Sequence, residues 1–99
     1  MTPQEEIRSF LDGSGRLLAY PAKRKKQLFA LLYLATKFEA GRVYTESEVN
    51  DLIDEHTCFH DPATVRRELY NVRFLEREPN GTAYRLAAAQ PTAEILGIA

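Results

Sequence analysis

Residue patterns that start helices occur three times along this chain, and one β-hairpin pattern follows them. This order limits the folds that the chain can adopt. A Thr three residues before a Glu, or an Asp followed by Pro, supplies the side-chain cap that opens a helix. Such signals occur at residues 2–5, 45–48 and 61–62. Asn80 and Gly81 separate two strand-like runs, 74–77 and 82–86, which predicts a β-hairpin.

Apolar spacing completes the set of elements. A further helix is expected from Pro21 or Ala22 to the stop at Gly41, because apolar residues there recur at helical intervals: Leu28, Leu31, Leu32, Ala35 and Phe38. The first helix is expected to reach about Leu11, with a turn at 12–15 and a short strand or extended segment at 16–20. The tail from Thr92 predicts one more short helix with three residues seeking a partner surface: Ile95, Leu96 and Ile98.

The order of three main helices and a hairpin predicts an α+β, winged-helix domain with an extra N-terminal helix. The 99 residues are enough for a single domain, 1–99, and 44% hydrophobic with 27% charged residues is typical of a globular protein. The lone Cys58 excludes an internal disulfide and fits a reducing cytoplasm. No apolar run is long enough for a membrane span, and the start does not resemble a signal peptide.

Charge is unevenly distributed, although the formal net charge is only −1. Residues 21–42 carry six Lys or Arg against one Glu, whereas residues 43–61 carry six Asp or Glu and no Lys or Arg. Residues 62–86 carry five Arg against three Glu. Basic segments therefore flank an acidic one.

The third main helix carries the first candidate site. With Val65, Leu69 and Val72 inward, the outer face and its flanks hold Ala63, Arg66, Arg67, Tyr70 and Asn71. Such side chains suit contacts with phosphates and base edges, and Arg77 and Arg85 of the hairpin would add phosphate contacts. The alternative is a solvated face whose arginines pair with Glu68 and its neighbours. The acidic helix before it, with Asp51, Asp54 and Glu55, would have to face away from a duplex.

A run of four cations, Lys23, Arg24, Lys25 and Lys26, is the second candidate site. Positive charge opposes the dipole at a helix start, and no capping residue precedes Pro21. Free N–H groups and cations together favour a phosphate. Two alternatives remain: ion pairs with the acidic helix, within the chain or across a dimer, or a solubility face. The outer face of this helix is expected to hold Lys23, Lys26, Ala30, Tyr33 and Lys37.

His56, Cys58, His60 and Asp61 lie close together but lack the spacing of a zinc site. We expect Cys58 and Phe59 to belong to the core, His56 to lie favourably at a helix C-terminus, and Asp61 to be a cap. No catalytic residues, metal ligands or cofactor are predicted.

Several stretches resemble a bacterial domain family of unknown function that is described as winged-helix-like. The similarity covers roughly residues 10–86, with residues 87–99 as an apolar tail outside it, and its most specific parts are residues 21–26 and 66–69. Other similar stretches lie at 15–17, 44–50, 61–62, 74–77, 80–81 and Tyr84. The family occurs alone or fused to arsenical-repressor-type regulators, which implies a bacterial, cytoplasmic regulatory module.

One position departs from that family. Its members often have Gly between the third helix and the following strand, where this chain has Arg73. If the backbone there needs a positive φ, Arg adopts it at some cost, and otherwise the helix end is rearranged.

These patterns lead to the hypothesis of a transcriptional regulator that binds double-stranded DNA and not membranes. The predicted nucleic-acid-binding residues are Lys23, Arg24, Lys25, Lys26, Arg66, Arg67 and Tyr70. The alternative is an interaction module that forms a homodimer, in which basic and acidic helices pair between chains and the tail docks on its neighbour.

Overall fold

Side-chain caps start three of the four helices, and the sheet pairs a short strand between the second and third helices with the hairpin that follows the fourth. The computed structural model describes residues 2–80 and 82–99, in which the chain has an α+β fold of four helices and one three-stranded antiparallel sheet. The helices are α1 (Pro3–Glu6), α2 (Arg24–Ala35), α3 (Glu46–His56) and α4 (Pro62–Asn71). The strands are β1 (Tyr44–Thr45), β2 (Leu75–Arg77) and β3 (Ala83–Leu86).

The predicted caps are confirmed at α1, α3 and α4. The backbone N–H of Glu48 donates to Thr45 Oγ1 at 3.0 Å, and that of Thr45 donates to Glu48 Oε1 at 2.8 Å. Thr2 and Glu5 form the same reciprocal pair at α1, and Asp61 accepts from the Thr64 N–H at α4. Each pair satisfies N–H groups that the first helical turn leaves without a partner.

The first helix is shorter than predicted, because the chain bends at Ile7. This residue has a φ of −116° and is fully buried, so its side chain enters the core where a continued helix would have carried it elsewhere. A 3₁₀ turn, Arg8–Phe10, follows in place of the expected helix to Leu11.

The predicted turn at 12–15 is confirmed, and it ends in a close approach. Asp12 Oδ1 accepts from the N–H groups of Ser14 at 2.9 Å and Arg16 at 2.8 Å, which lowers the pKa of Asp12. Gly15 has a φ of +83°, and its carbonyl accepts from Tyr33 Oη at 2.6 Å. A Cβ at this position would lie 2.9 Å from that hydroxyl. Glycine therefore fits here both because the φ is positive and because a side chain would clash with Tyr33.

The segment 16–20 is extended, and Leu17 joins two parts of the chain. Leu17 forms single bridges to Leu11 and to Thr57, and it is fully buried. Its N–H donates to the His56 carbonyl at 2.8 Å. The segment thus ties the N-terminal turn to the end of α3.

Helix α2 begins later than predicted and is buried on more than one side. It starts at Arg24, with Lys23 as the N-cap residue, and the last turn tightens into i→i+3 bonds that reach Phe38. The prediction that Ala30 and Tyr33 lie on an outer face is wrong, since they are 0% and 6% exposed. The N-terminal segment packs against that side, which sequence spacing within α2 alone does not reveal.

The sheet has the order β1-β3-β2. The predicted strands 74–77 and 82–86 are confirmed with slightly shorter bounds, and Leu75 pairs with Leu86. Strand β1 was not predicted, because its two residues are too few for a pattern; it pairs Tyr44 with Tyr84. Gly81 of the predicted hairpin turn lies outside the described residues.

One hydrophobic core unites helices, sheet and tail. Of the residues that helical spacing places inward, Val49 and Ile53 of α3 and Val65 and Leu69 of α4 are at most 1% exposed. Leu52 and Val72 are partly buried against this core. The tail forms one helical turn at 92–97, and its Ile98 packs into this chain's own core. Among the described residues, no helix is both long and apolar enough to cross a membrane.

Candidate nucleic-acid interface

The outer face of α4 is oriented as its spacing predicts. Because Val65 and Leu69 point into the core, Arg67, Tyr70 and Asn71 project into solvent. Within the described residues, Arg67 makes no side-chain hydrogen bond or ion pair. This face therefore presents a free guanidinium, an aromatic ring and an amide side by side.

Arg66 has a different environment from its neighbour Arg67. Its Nη1 donates to Asn50 Oδ1 at 2.5 Å, its Nη2 lies 3.6 Å from Glu46 Oε1, and its side chain is only 13% exposed. Both partners belong to α3. Arg66 therefore links α3 to α4, and its guanidinium is directed at protein rather than solvent.

A stacked pair connects α4 with the hairpin. The Arg77 guanidinium of β2 lies 4.4 Å from the centre of the Tyr70 ring, a distance suited to a cation–π contact. The hydroxyls of Tyr84 and Tyr70 beside it hold the pKa of Arg77 above its usual range. The sequence offered no signal for this pair, because the two residues meet only when the hairpin folds back along α4.

The other arginine of the hairpin is neutralised locally. Arg85 Nε lies 3.3 Å from Glu76 Oε2, and its Nη1 lies 3.1 Å from Glu78 Oε1. Arg77 makes no ion pair among the described residues, and alternation along β2 puts it on the opposite face from Glu76. The hairpin therefore presents one free cation, Arg77, beside a cluster whose charges are paired with one another.

Arg73 follows α4 in the left-handed conformation, with a φ of +74°. Its N–H donates to the Tyr70 carbonyl at 3.1 Å, and the Phe74 N–H donates to the Leu69 carbonyl at 2.8 Å. These two bonds form a Schellman motif with Arg73 at the position that usually holds glycine. Of the two alternatives for this position, Arg73 therefore adopts the positive φ. Arg73 and Arg77 both line an open groove of about 680 Å3 between the end of α4 and the hairpin.

Of the four cations at the start of α2, two form ion pairs and two make none among the described residues. Lys23 is an N-cap residue without a side-chain cap bond, as predicted for an uncapped start. Arg24 Nη1 lies 3.0 Å from Glu68 Oε2 of α4, and Lys26 Nζ lies 3.4 Å from Glu6 Oε1. In the described part of the chain, Lys23 and Lys25 are exposed and make no ion pair.

The Arg24–Glu68 pair places the start of α2 beside one flank of α4. Helix α3 lies on the other flank, where Asn50 meets Arg66. At 100° per residue, Asp51 and Glu55 lie 100° and 140° around α3 from Asn50, whereas Asp54 lies only 40° from it, on the side that meets α4. In the described chain, the α2 cations pair with Glu6 and Glu68 and not with Asp51, Asp54 or Glu55; the alternative of pairing with α3 within one chain is wrong.

A single tyrosine lies against the Arg24–Glu68 pair. The Tyr20 ring packs beside Phe59 with 6.3 Å between ring centres, and its hydroxyl is buried without a hydrogen-bond partner among the described residues. Burial, assisted by the nearby Glu68 carboxylate, raises the pKa of Tyr20 to about 12. The hydroxyl therefore stays neutral beside the ion pair.

The residues around the interhelical turn have structural contacts. Asp61 caps α4, as predicted, and His60 before it has a φ of +50°. Cys58 Sγ lies 3.8 Å from Asp12 Oδ2. Residues 2–80 and 82–99 contain no group of three or more His, Cys, Asp or Glu side chains arranged to hold a metal ion.

Comparison with protein families gives one match. The model of a family described as "Uncharacterized protein conserved in bacteria (DUF2087)" matches residues 16–86, which include α2, α3, α4 and the sheet. The searches of curated proteins and of solved structures find no match. The match spans every residue of the α4 face and the hairpin groove up to β3 and leaves the N-terminal helix and the tail outside.

Proposed function

The chain belongs to this bacterial family, and on that premise we propose that it is a winged-helix domain that binds double-stranded DNA. In this proposal α3 and α4 form the helix-turn-helix, α4 enters the major groove, and the β2–β3 hairpin is the wing. The domain would act in the bacterial cytoplasm as a regulator of transcription.

The order of elements supports the winged-helix assignment. Helix α2 is followed by β1, then by α3, α4 and the hairpin, and the short β1 adds to the hairpin through β3. This arrangement closes the sheet against the helices and leaves the outer face of α4 uncovered. The fold alone does not imply DNA binding, so the functional proposal depends on the surface.

The observation that carries the proposal is a set of free guanidinium groups on one surface. Arg67 projects from α4, and Arg77 is held over Tyr70 beside it; neither makes an ion pair in the described chain. Arginine forks suit phosphate oxygens and the N7 and O6 atoms of guanine, and Asn71 suits adenine. An acidic protein with a formal net charge of −1 that keeps these cations together presents a local surface for a polyanion.

The placement of the remaining charges is consistent with this orientation. Of the acids of α3, Asp51 and Glu55 are turned away from α4, whereas Glu46 pairs with Arg66 and Asp54 is half-buried on the side of Asn50. Lys23 and Lys25 lie on the far flank of α4, next to Arg24, where they would contact phosphates. Arg66 does not join the interface, because its guanidinium is bound to α3.

A fluorescence titration with random-sequence duplex tests this function. We expect measurable binding at low salt and a loss of affinity of about a hundredfold between roughly 50 and 200 mM salt, since phosphate contacts release counterions. Arg67→Gln and Tyr70→Ala should each weaken binding about tenfold. Lys23→Gln with Lys25→Gln should reduce the slope of log affinity against log salt by about 1.8.

Arg42→Gln is the matched control. Arg42 is an exposed arginine beside α3 that pairs with Glu48 at 3.4 Å, so its removal changes the net charge equally but should alter affinity by less than about twofold. Undetectable binding of wild-type protein to random duplex, even at low salt, would overturn the proposal. Light scattering that shows a salt-sensitive dimer in that case would favour a homodimeric interaction module.

A further inference from the structure

Arg73 occupies a backbone position that its own residue type disfavours. A residue with a side chain in the left-handed region brings its Cβ close to the following carbonyl, a clash that glycine lacks. The Schellman bonds around Arg73 use backbone atoms alone, so glycine would form them equally well. The helix end therefore gains nothing from arginine at this position.

The Arg73 side chain makes no contact that accounts for its presence. It is exposed, and among the described residues its guanidinium has no hydrogen-bond or ion-pair partner. Strained backbone residues of this kind cluster at active sites and ligand clamps. The side chain projects along the groove between the end of α4 and the hairpin.

The groove has the dimensions and charge for an extended anion. Arg73 and Arg77 both line it, and the Arg77 guanidinium lies 4.4 Å from the centre of the Tyr70 ring. Glu76 also lines the groove, but its carboxylate is paired with Arg85 at 3.3 Å. Two unpaired guanidinium groups thus border a space of about 680 Å3 that opens to solvent, which suits a chain of phosphates more than an enclosed small molecule.

We propose that this groove grips the phosphodiester backbone of the bound duplex, with Arg73 and Arg77 each contacting a phosphate. The inference rests on the proposed DNA binding and assigns a phosphate clamp to the junction of α4 and the wing. Arg73 contributes affinity without sequence selectivity, because phosphates carry no base identity. Its strained backbone is the cost in stability of placing a cation at this junction.

Arg73→Gly separates stability from binding. Glycine relieves the left-handed strain, so the Tm should rise by roughly 2–6 °C even though glycine makes the unfolded chain more flexible. Affinity for random duplex should fall about 5- to 10-fold, and the slope of log affinity against log salt should decrease by about 0.9. Arg73→Asn, which also tolerates the left-handed region, should reproduce both changes.

His60→Gly is the matched control for the backbone. His60 is the other non-glycine residue with a positive φ in the described chain, and it lies outside the groove. This variant should raise the Tm without changing affinity, which isolates the guanidinium as the cause of any loss seen for Arg73→Gly.

Two results would overturn the clamp, and they differ from each other. If Arg73→Gly and Arg73→Asn bind duplex as wild type does while Arg67→Gln loses affinity, DNA binding stands and the clamp is rejected. If the wild-type protein fails to bind duplex at low salt, the proposed function and the clamp fail together.

Discussion

At the scale of single residues, the Arg16 side chain caps the C-terminal end of α3, although it is distant from α3 in the sequence. Its Nη2 donates to the Thr57 carbonyl at 2.6 Å and to the Asp54 carbonyl at 3.3 Å. These oxygens lie at the end of α3, where carbonyls lack helical partners and the dipole favours a cation. Arg16 comes from a segment about 40 residues earlier, so it holds the N-terminal turn against α3.

Replacing Arg16 should therefore destabilise the protein. Arg16→Gln removes two hydrogen bonds from a charged donor and leaves carbonyls unsatisfied, and we expect a loss of about 1.5–3 kcal/mol in the free energy of unfolding. Urea denaturation measures it. The exposed Arg8 is the control, since Arg8→Gln should change stability by no more than about 0.5 kcal/mol. Equal effects of the two substitutions would contradict the capping role.

At the scale of elements, the N-terminal segment and the tail cover surfaces that the central helices leave open. The segment 2–15 covers the side of α2 that holds Ala30 and Tyr33. The tail returns to the core, where Gln90 Nε2 donates to the Phe74 carbonyl at 2.9 Å and Ile98 is 8% exposed. Both segments lie outside the family match, so they are additions that complete the core of this chain.

Two isoleucines of the tail give a matched test of its docking. Ile98→Ala removes a buried side chain and should lower the free energy of unfolding by about 2 kcal/mol. Ile95 is 77% exposed, so Ile95→Ala should change it by less than about 0.5 kcal/mol. Urea denaturation of both variants checks this. If the tail docked on a neighbouring chain instead, the effect of Ile98→Ala would depend on protein concentration.

At the scale of the whole molecule, folding brings together charges that lie far apart in the sequence, and the pKa of His56 changes as a result. The end of α3 favours a protonated imidazole, yet burial and then the Lys37 ammonium lower the pKa of His56 below its ordinary 6.5. Arg16 adds to this effect and Glu55 opposes it. His56 lies in the last turn of α3, as expected, but burial lowers its pKa there.

This pKa predicts how stability depends on pH. The unfolded chain binds a proton at His56 more readily than the folded chain, so the free energy of unfolding should fall as pH decreases through 6.5. Urea denaturation between pH 7.5 and pH 5.0, roughly the range in which histidine titrates, measures this slope. His56→Gln should reduce the slope, and Lys37→Met should reduce it partly. An unchanged slope in His56→Gln would reject this assignment.

Helical spacing predicts that Arg66 and Arg67 are on the outer side of α4, but it does not predict which of them has a bonding partner. Helical periodicity placed both on the solvent side of α4, and it correctly separated them from Val65 and Leu69. It did not distinguish the arginine bound to α3 from the free one, because the partner Asn50 lies 16 residues away in sequence. Strand β1 was missed because its two residues are too few for a pattern, and the Tyr70–Arg77 stack because its members meet only when the hairpin folds back along α4.

The sequence by itself determined where α1, α3 and α4 begin, which side chains of α3 and α4 point inward, and where the hairpin lies. These features depend on capping bonds and periodicity within about four residues, so they are encoded locally. Only the tertiary structure decided which cations remain free. Arg24 meets Glu68 across 44 residues and Lys26 meets Glu6 across 20, and such pairs exist only after the helices have packed. Among residues 2–80 and 82–99, that selection leaves Lys23, Lys25, Arg67, Arg73 and Arg77 without an ion pair, as it does Arg8 and Lys37.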